Sequence, residues 1–351
     1  MKKNIYIIGS SLKDKGGIVS VMTQIEKSYL SEKYNFIHVA TYLNTNIIKK
    51  VVIYLKSLFI ILFNIGKIDI AHIHMSYKGS FYRKSLIILL LKMFKKPIIL
   101  HMHGSCFKEF YSDLSKFGKK YCNHILNKAD KIIVLSDSWK KYFSSIVKQE
   151  NIIVIKNSVN VDQKCDKLKK TSECIFVFLG RQGKRKGVYD LLKSAKELNR
   201  KYSNFKLIIA GDGEINEVNK IIREEKLDNI IVNKGWISAE ERSTILENAD
   251  VFVLPSYNEG LPMAILEAMS YGLPCISTNV GGIPEVITNM ENGILIDAGD
   301  IKALHDAMEY MIININKRQM MGRKAFENIC QNYNEKNELT KLDNLYNNIL
   351  T

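Results

Sequence analysis

The stretch from Pro255 to Glu267, PSYNEGLPMAILE, holds two carboxylates on either side of a predicted helix start. Glu259 lies in a loop, and Gly260 and Pro262 lead into an apolar helical run that carries Glu267. Proline is favoured at a helix start because its missing N–H would be unpaired there, and the free N–H groups of the first turn attract anions. The stretch therefore predicts a ligand with phosphate in its middle and hydroxyl groups at both ends. A nucleotide-diphosphate sugar has that shape.

A second motif, GRQGKRKG, is rich in cations and follows a predicted strand. Gly180 allows the chain to turn, and Arg181 and Lys186 can then reach a ligand before the next helix begins. Fixed cations of this kind stabilise the negative charge that grows on a departing diphosphate. The motif is not a Walker loop, because Gly187 is followed by Val188. A basic surface turn is the alternative interpretation.

Three further glycine motifs follow predicted strands. Gly16 and Gly17, in KDKGGIVSV, permit close approach of the backbone to a phosphate or sugar, although a plain tight turn would look the same. The GDGE motif at 211–214 predicts a flexible loop, and Gly281 with Gly282, in VGGIPEVI, predicts another turn from loop to helix. None of them is a G-x-G-x-x-G fingerprint, so a nicotinamide cofactor gains no support.

Two pairs of histidines, His72/His74 and His101/His103, are each spaced so that both members share one face of a strand. Four imidazoles at neighbouring strand ends raise the possibility of a metal site. No carboxylate or thiol set with ligand spacing accompanies them, so we expect no metal. We expect His103, followed by Gly104, to hydrogen-bond a sugar or phosphate, and His72 and His101 to be structural.

The elements that must position these residues alternate between apolar β-rich runs and helical patterns. In the first half, helices are predicted at Ile18–Leu30, Ile47–Ile65, Lys84–Phe94, Lys116–Lys128 and Ser138–Val147. Strands are predicted at Ile5–Gly9, Ile37–Ala40, Ile70–His74, Pro97–His101, Lys131–Leu135, Ile152–Ile155, Cys174–Leu179, Lys206–Ala210, Ile230–Asn233, Val251–Leu254, Pro274–Ser277 and Gly293–Ile296. Continuous apolar strands alternating with helices predict parallel sheets covered on both faces.

The polar, Lys-rich segment Gln163 to Thr171 is the predicted linker between two doubly wound α/β domains. We expect a first domain over 1–165, a second over 172–330, and a C-terminal helix over 331–351 that either caps the second domain or crosses back onto the first. Ligands of such sheets bind beyond the carboxyl ends of the strands, so two facing domains would form one cleft.

Positive charge is concentrated in the first half of the 351-residue chain. Residues 1–170 carry a net charge of +19 and residues 171–351 a net charge of −4. The basic half predicts either contact with an anionic membrane or lipid-phosphate acceptor, or simply a solvated lysine-rich surface. The helical run at Val51–Ile65 is interrupted by Lys56 and is too short to span a membrane, so it predicts a core helix or, alternatively, a helix that lies on a membrane surface. Nucleic acid is not expected, because no binding motif accompanies the charge.

The six cysteines show no C-x-x-C pairing, which is typical of thiols in a reducing cytoplasm. The N-terminal run MKKNIYIIGSS is too short in its apolar part for a signal peptide and predicts a buried first strand. We therefore expect a cytoplasmic protein, peripheral on the inner face of the plasma membrane if the basic half docks there.

Taken together, GRQGKRKG, GDGE, GW at 235–236, PSYNEGLPMAILEAMSYGLPCIST, GGIPEVI and NGILI resemble, in order and spacing, the retaining family 4 glycosyltransferases with the GT-B fold. The resemblance covers nearly all of residues 173–300, and its E-x7-E element is Glu259 and Glu267. The first half is similar but looser: HIHMSYKGSFYRK and HMHGS resemble members that act in bacterial surface-polysaccharide assembly. Where the family often has Pro-Asn-Gly-Val-Asp before the linker, this chain has KNSVN at 156–160.

The resemblance implies roles residue by residue. Arg181 and Lys186 would hold the donor diphosphate, Glu267 the ribose hydroxyls and Glu259 the donor sugar, with His103 also reaching that sugar. Backbone groups from Gly260 through Leu261 to Met263 would complete the phosphate site. The remaining donor contacts would come from Gly16, Gly17, Gly180 and Gly211, and from Gly235, Trp236 and Ile237 near the base.

The implied reaction is sugar transfer with retention from a UDP- or GDP-linked donor to a lipid-linked oligosaccharide or saccharide acceptor, without a divalent metal or a tightly bound cofactor. Two alternatives remain: another enzyme of the same fold, such as a nucleotide-sugar epimerase or a phosphorylase-like enzyme, and a catalytically silent sugar-nucleotide-binding subunit. A phosphorylase would need a cofactor lysine that the sequence does not identify.

Overall fold

The computed structural model describes residues 2–104, 106–161 and 173–351. The chain forms two compact units, one made of Met1–Asn157 with Lys336–Thr351 and the other of Ser158–Glu335. The predicted linker, Gln163 to Thr171, lies outside the described residues. Each unit is built on one six-stranded sheet.

The first unit has strands β1 (Lys3–Ser10), β2 (Tyr34–Tyr42), β3 (Ile70–Met75), β4 (Ile98–Met102), β5 (Lys131–Val134) and β6 (Ile152–Val154). Its helices are α1 (Gly17–Lys27), α2 (Leu30–Lys33), α3 (Ile47–Phe63), α4 (Gly79–Met93), α5 (Phe107–Ser112), α6 (Lys116–Leu126) and α7 (Asp137–Phe143). All the strand pairs are parallel, in the order β2-β1-β3-β4-β5-β6. The order reverses between β1 and β3.

The second unit has strands β7 (Cys174–Leu179), β8 (Phe205–Ala210), β9 (Ile231–Gly235), β10 (Val251–Leu254), β11 (Cys275–Thr278) and β12 (Gly293–Ile296). Its helices are α8 (Val188–Asn199), α9 (Ile215–Glu224), α10 (Ala239–Asn248), α11 (Met263–Ser270), α12 (Ile301–Ile313) and α13 (Ile315–Asn332). The parallel order is β12-β11-β10-β7-β8-β9, which reverses between β7 and β10. Ligands of such sheets bind at that point, because the loops after the two strands diverge there.

The strand predictions are confirmed at all twelve positions. The sequence marked these strands because the middle strands of each sheet are apolar on both faces. Every residue of β3, β4 and β10, for example, is buried. The helix predictions needed three corrections. Helix α4 begins at Gly79, five residues before the predicted start; the predicted helix Ile18–Leu30 divides into α1 and α2; and α5 was not predicted. Glycine at a helix start and a single helical turn both give weak periodic signals.

The last helix, α14 (Glu335–Leu350), packs against the first unit. Tyr34 Oη donates hydrogen bonds to Asp343 Oδ1 at 2.8 Å and to Asn347 Oδ1 at 2.9 Å. Lys33 forms an ion pair with the same aspartate. Tyr346 is fully buried and its ring meets that of Tyr34 edge to face. Helix α14 is thus part of the first unit, although it follows the second unit in the sequence.

Candidate functional site

The loops after β7 and β10, the two strands at the reversal point of the second sheet, meet at an ion pair between Lys186 and Glu259. Lys186 Nζ donates to Glu259 Oε1, and Ser256 Oγ donates to the same oxygen at 2.7 Å. The carboxylate is 7% exposed and the lysine side chain 15%. Lys186 and Glu259 therefore form an ion pair that is largely shielded from water. It lies at the reversal point of the strand order, where sheets of this kind bind their ligands.

Close approach of these two loops depends on Gly187. Its φ of +72° lies in the left-handed region that favours glycine. A Cβ there would come within 2.0 Å of the Pro255 carbonyl oxygen, well inside van der Waals contact. Next to this contact, the Tyr257 N–H donates to the Arg185 carbonyl oxygen at 2.9 Å. Glycine at position 187 is thus what allows Lys186 to reach Glu259.

Arg185 is a second cation beside Glu259, and the sequence analysis did not select it. Its Nη1 donates to the Asn258 carbonyl oxygen at 2.9 Å and lies 3.9 Å from Glu259 Oε2. The one available signal was its place in the run Lys184–Lys186. That run forms a single 3-10 turn, which points successive side chains in different directions.

Arg181, predicted to hold the donor diphosphate, pairs with another loop. Its Nη1 lies 3.8 Å from Asp212 Oδ2 in the GDGE loop, and its side chain is 65% exposed. The Gln182 N–H donates to the Asp212 carbonyl oxygen at 2.6 Å, so the two loops also meet through their backbones. The structure thus gives Arg181 an acidic partner different from that of Lys186.

A third loop, at Gly281 and Gly282, supports Glu259 from behind. Gly281 has a φ of +58°, and a Cβ there would lie 1.8 Å from the Glu259 carbonyl oxygen. The Gly282 N–H donates to the Gly260 carbonyl oxygen at 2.6 Å. These contacts fix the backbone that leads to Pro262, where α11 begins without a side-chain cap. The uncapped first turn leaves N–H groups available to an anion.

Glu267, the second carboxylate of the motif, lies on α11 and pairs with Arg242 of α10. Arg242 Nη1 lies 3.2 Å from Glu267 Oε2. Burial raises the pKa of Glu267, and the Arg242 guanidinium partly opposes that rise. Sequence reasoning missed Arg242 because the contact joins two helices and leaves no local pattern.

The glycines that end β7, β8 and β9 lie side by side. The Gly211 N–H donates to the Gly235 carbonyl oxygen at 2.7 Å, and a Cβ on Gly211, whose φ is +139°, would lie 1.9 Å from the Gly180 carbonyl oxygen. Beyond Gly235, the Trp236 side chain is 54% exposed and Ile237 is half-buried. The structure thus brings Gly180, at the start of the cation-rich loop, and the predicted base-binding segment at 235–237 to one edge of the sheet.

In the first unit, Gly16 and Gly17 begin α1. Gly16 has a φ of +124°, and nothing lies within 4 Å of where its Cβ would stand. Its carbonyl oxygen accepts from the N–H groups of Val19 and Ser20 at 3.0 and 3.2 Å. The loop is exposed and leaves space beside its backbone, as the prediction of a close ligand approach requires.

The four predicted histidines form one ladder along β3 and the end of β4, which we call the histidine ladder. His72, His74 and His101 are buried, and His103, directly after β4, is partly buried. His72 Nδ1 and Tyr346 Oη are 2.6 Å apart, His72 Nε2 and His101 Nδ1 are 3.2 Å apart, and His74 Nδ1 and His103 Nε2 are 2.9 Å apart. Neighbouring rings lie 4.2–5.3 Å apart, and His74 and His101 face each other in the strand register.

Burial keeps the histidine ladder uncharged. Desolvation lowers the pKa of both His72 and His103 to about 3, and it also lowers the pKa values of His74 and His101. Charge on His72 or His103 further lowers the pKa values of His74 and His101. Within the described part of the chain, Nε2 of His74 and Nε2 of His101 are buried without a hydrogen-bond partner.

The described residues contain two groups of three potential metal ligands. In each group the ligand atoms lie within 4.8 Å of one another. The groups are His72, His74 and His101, and His305, Asp306 and Glu309. In the first group His72 already uses both ring nitrogens in hydrogen bonds. In the second, Lys201 donates to Glu309 at 2.7 Å. A metal would have to displace these partners, and metal independence stays a prediction.

Lys84 is a buried cation that the sequence analysis passed over. It is 2% exposed, and its Nζ donates to Ser80 Oγ at 3.0 Å. The same hydroxyl accepts from the Ser76 N–H at 3.1 Å. Burial, reinforced by the Arg83 charge, lowers the pKa of Lys84 to about 7. The Ser80 hydroxyl of α4 therefore holds the loop after β3 and also accepts from Lys84.

Comparison with protein families matches both halves of the chain. Residues 5–163 match the model described as Glycosyltransferase Family 4, and residues 161–328 match the model described as Glycosyl transferases group 1. The matched ranges together cover both sheets.

Individual proteins are similar over most of the chain. An uncharacterised 41.2 kDa protein in the cps region of Klebsiella pneumoniae is 28% identical over 293 residues, 78% of this chain and 79% of that protein. The UDP-Gal:alpha-D-GlcNAc-diphosphoundecaprenol alpha-1,3-galactosyltransferase of Escherichia coli is 27% identical over 306 residues, 80% of this chain and 75% of that enzyme. HepE of Anabaena, solved with UDP, has the same fold, with a TM-score of 0.77 at 16% identity and coverage of 99% and 100%.

Proposed function

We propose that this chain, which belongs to the family 4 glycosyltransferases, moves a sugar from a nucleotide-diphosphate donor to a lipid-linked or saccharide acceptor, with retention and without a divalent metal. The chain is a glycosyltransferase of the GT-B fold. It acts in surface-polysaccharide biosynthesis. Its relatives include a protein of the cps region of Klebsiella pneumoniae, a diphosphoundecaprenol-dependent galactosyltransferase and a capsular polysaccharide biosynthesis glycosyltransferase of Staphylococcus aureus.

The observation that carries the proposal is the Lys186–Glu259 pair, held at the reversal point of the second sheet beside the uncapped start of α11. Lys186 and the first-turn N–H groups offer positive charge to a diphosphate. The Glu259 carboxylate can accept hydrogen bonds from sugar hydroxyls. Glu267, with Arg242 behind it, is assigned to the ribose hydroxyls. The pair therefore suits a ligand that carries both phosphate groups and sugar hydroxyls.

In the proposed reaction, the bond between the anomeric carbon and the β-phosphate oxygen breaks and its electron pair leaves on the diphosphate. The acceptor hydroxyl oxygen forms the new bond from the same face, and its proton passes to the departing phosphate oxygen. Lys186 and the helix start stabilise that phosphate as its charge grows. Arg181 is assigned to the diphosphate as well, which requires it to leave Asp212 when the donor binds. His103, in the first unit, is assigned to the donor sugar.

Donor and acceptor classes come from the relatives. The E. coli enzyme uses a UDP-linked sugar and a diphosphoundecaprenol-linked acceptor by its name, and HepE was solved with UDP. We therefore expect a UDP-sugar ahead of a GDP-sugar, and a lipid-linked acceptor. A cytoplasmic location is proposed because the spacing of the six cysteines, without C-x-x-C pairs, is typical of thiols in a reducing compartment.

The test is nucleotide release from a panel of UDP- and GDP-sugars, with and without an extract of polyprenyl-linked acceptors. We expect one donor to be turned over, faster when acceptor is present, and the α-linked product to appear by mass spectrometry and NMR. Tight binding of a nucleotide sugar with no turnover of any donor would overturn the transferase proposal and favour a silent binding subunit. A changed sugar without nucleotide release would favour an epimerase.

A further inference from the structure

Helix α3 turns an unusually apolar surface away from its own unit. Eight large apolar side chains of this 17-residue helix are exposed, between 45% and 80%: Ile47, Ile48, Val51, Val52, Leu55, Phe59, Leu62 and Phe63. At about 100° per residue they share one arc of roughly 160°. Only Ser57 and Ile61 are buried. A contiguous exposed apolar patch of this kind marks an interaction surface.

The apolar surface continues onto two neighbouring helices. On α4, the residues Tyr82, Leu86, Leu89 and Met93 are exposed at helical spacing, and on α6 Phe117 and Tyr121 are exposed one turn apart. The helices lie side by side: Tyr54 of α3 donates to the Arg83 carbonyl oxygen of α4 at 2.9 Å, and the rings of Phe81 and Tyr121 lie 6.2 Å apart. We call the exposed sides of α3, α4 and α6 the apolar–basic face.

The charge of this face has one sign. Helices α3, α4 and α6 contain no aspartate or glutamate. Of their nine lysine and arginine residues, Lys84 is buried and Lys92 pairs with Asp130. Lys49 and Lys56 border one edge of the α3 arc, and Lys116 and Lys120 are exposed beside Phe117. Apolar side chains flanked by lysines fit a surface that is hydrocarbon inside and anionic at its edge.

We propose that the apolar–basic face docks the enzyme onto an anionic lipid bilayer, with α3 lying in the plane of the headgroups. Helix α3 is about 25 Å long, too short for the roughly 30 Å hydrocarbon core, and it carries three lysines. In the described part of the chain, no helix combines the length and hydropathy that crossing a bilayer requires. Docking is therefore by insertion of one face only.

A second copy of the chain is the competing occupant. Two such faces packed together would bring lysines against lysines with no carboxylate on any of the three helices to compensate them. An anionic membrane supplies both the apolar interior and the negative charge, so the same features that oppose self-association favour lipid.

The test is flotation of the full chain with vesicles of phosphatidylcholine alone and with 30% phosphatidylglycerol, at low and high salt. Phe59→Ser with Phe63→Ser should weaken binding to the anionic vesicles at least tenfold. Ile313→Ser with Met320→Ser, two apolar side chains of the second unit that are also more than half exposed, should change it less than twofold. Lys49→Gln with Lys56→Gln should weaken it about fivefold for each lysine and flatten its salt dependence.

All these side chains are exposed, so unchanged thermal unfolding is expected and shows that each variant is folded. Absence of wild-type binding, binding equal on both vesicle types, or binding unaffected by Phe59→Ser with Phe63→Ser would overturn the proposal. A dimer that the same double substitution dissociates would show that a second copy covers the face. Vesicle binding needs no turnover, so its failure is separate from failure of the proposed transferase activity.

Discussion

The histidine ladder makes the first unit sensitive to mild acid. At pH 5.5 an unfolded histidine, with a pKa of about 6.5, is about 90% protonated, whereas His72, whose pKa burial lowers to about 3, stays neutral in the native chain. The unfolded chain then binds a proton that the native chain does not. The contribution of His72 to the free energy of unfolding is therefore present above about pH 6.5 and is lost as the pH falls toward 3.

The size of the effect follows from this difference. Lowering the pH from 7.5 to 5.5 should cost about 1.4 kcal/mol through His72 alone, and about 5 kcal/mol if all four ladder histidines stay neutral. The window lies above the usual carboxylate pKa values, so most aspartates and glutamates contribute little to it. A loss of this size is a large part of the stability of an ordinary domain.

The assay uses the chain's two tryptophans, one in each unit. Trp236→Phe leaves Trp139 as the reporter of the first unit, and urea unfolding at pH 7.5, 6.5 and 5.5 gives its free energy of unfolding. His101→Gln in the same background should reduce the pH slope. His124→Gln, which removes an exposed histidine of the same unit, should not. A free energy that changes by less than about 1 kcal/mol over the window would refute the account of buried neutral imidazoles.

Three further predictions concern the second unit. Gly187→Ala should lower donor turnover more than tenfold. The left-handed backbone costs an alanine about 1–2 kcal/mol, and its Cβ would lie 2.0 Å from the Pro255 carbonyl oxygen, so the loop must move. Gly66→Ala, which has open space around its Cβ, should have no effect in the same assay. Glu267→Gln should weaken UDP binding about tenfold or more by calorimetry, since it removes one charged hydrogen-bond acceptor, and equal affinity would remove Glu267 from the ribose site. Arg242→Ala should raise the pKa of Glu267 further, so the pH below which UDP binding weakens should lie higher in the variant than in the wild type. An unchanged pH profile would contradict this.

The sequence predicted the site best where chemistry and backbone geometry left local marks. The glycines at 187, 211 and 281 have a positive φ, and a Cβ at any of them would lie 2.0 Å or less from a backbone oxygen. Glu259 and Glu267 were marked by their places on either side of a predicted helix start and by the family resemblance. Their partners were only partly visible: Lys186 lies in a conspicuous basic loop, but Arg242 comes from another helix and had no marker.

The first unit was harder to interpret because its features depend on strand order. Spacing placed His72 with His74 and His101 with His103, but the single ladder arises because β3 and β4 are neighbours in the sheet. Likewise, the apolar run of α3 resembles that of a core helix, and only the packing reveals that most of it faces outward. Periodicity tells which residues share a face but not whether another element covers that face.

The central claim is that Lys186, held beside Glu259, stabilises the departing diphosphate. The most direct measurement is steady-state turnover of the identified donor by Lys186→Ala, with Lys184→Ala as the matched control from the same 3-10 turn. We expect Lys186→Ala to lower kcat at least tenfold, since a preorganised contact to developing charge is worth roughly 2.7–4 kcal/mol in known sites, and Lys184→Ala to stay within twofold. Turnover by a folded Lys186→Ala variant equal to that of the wild type would contradict the account.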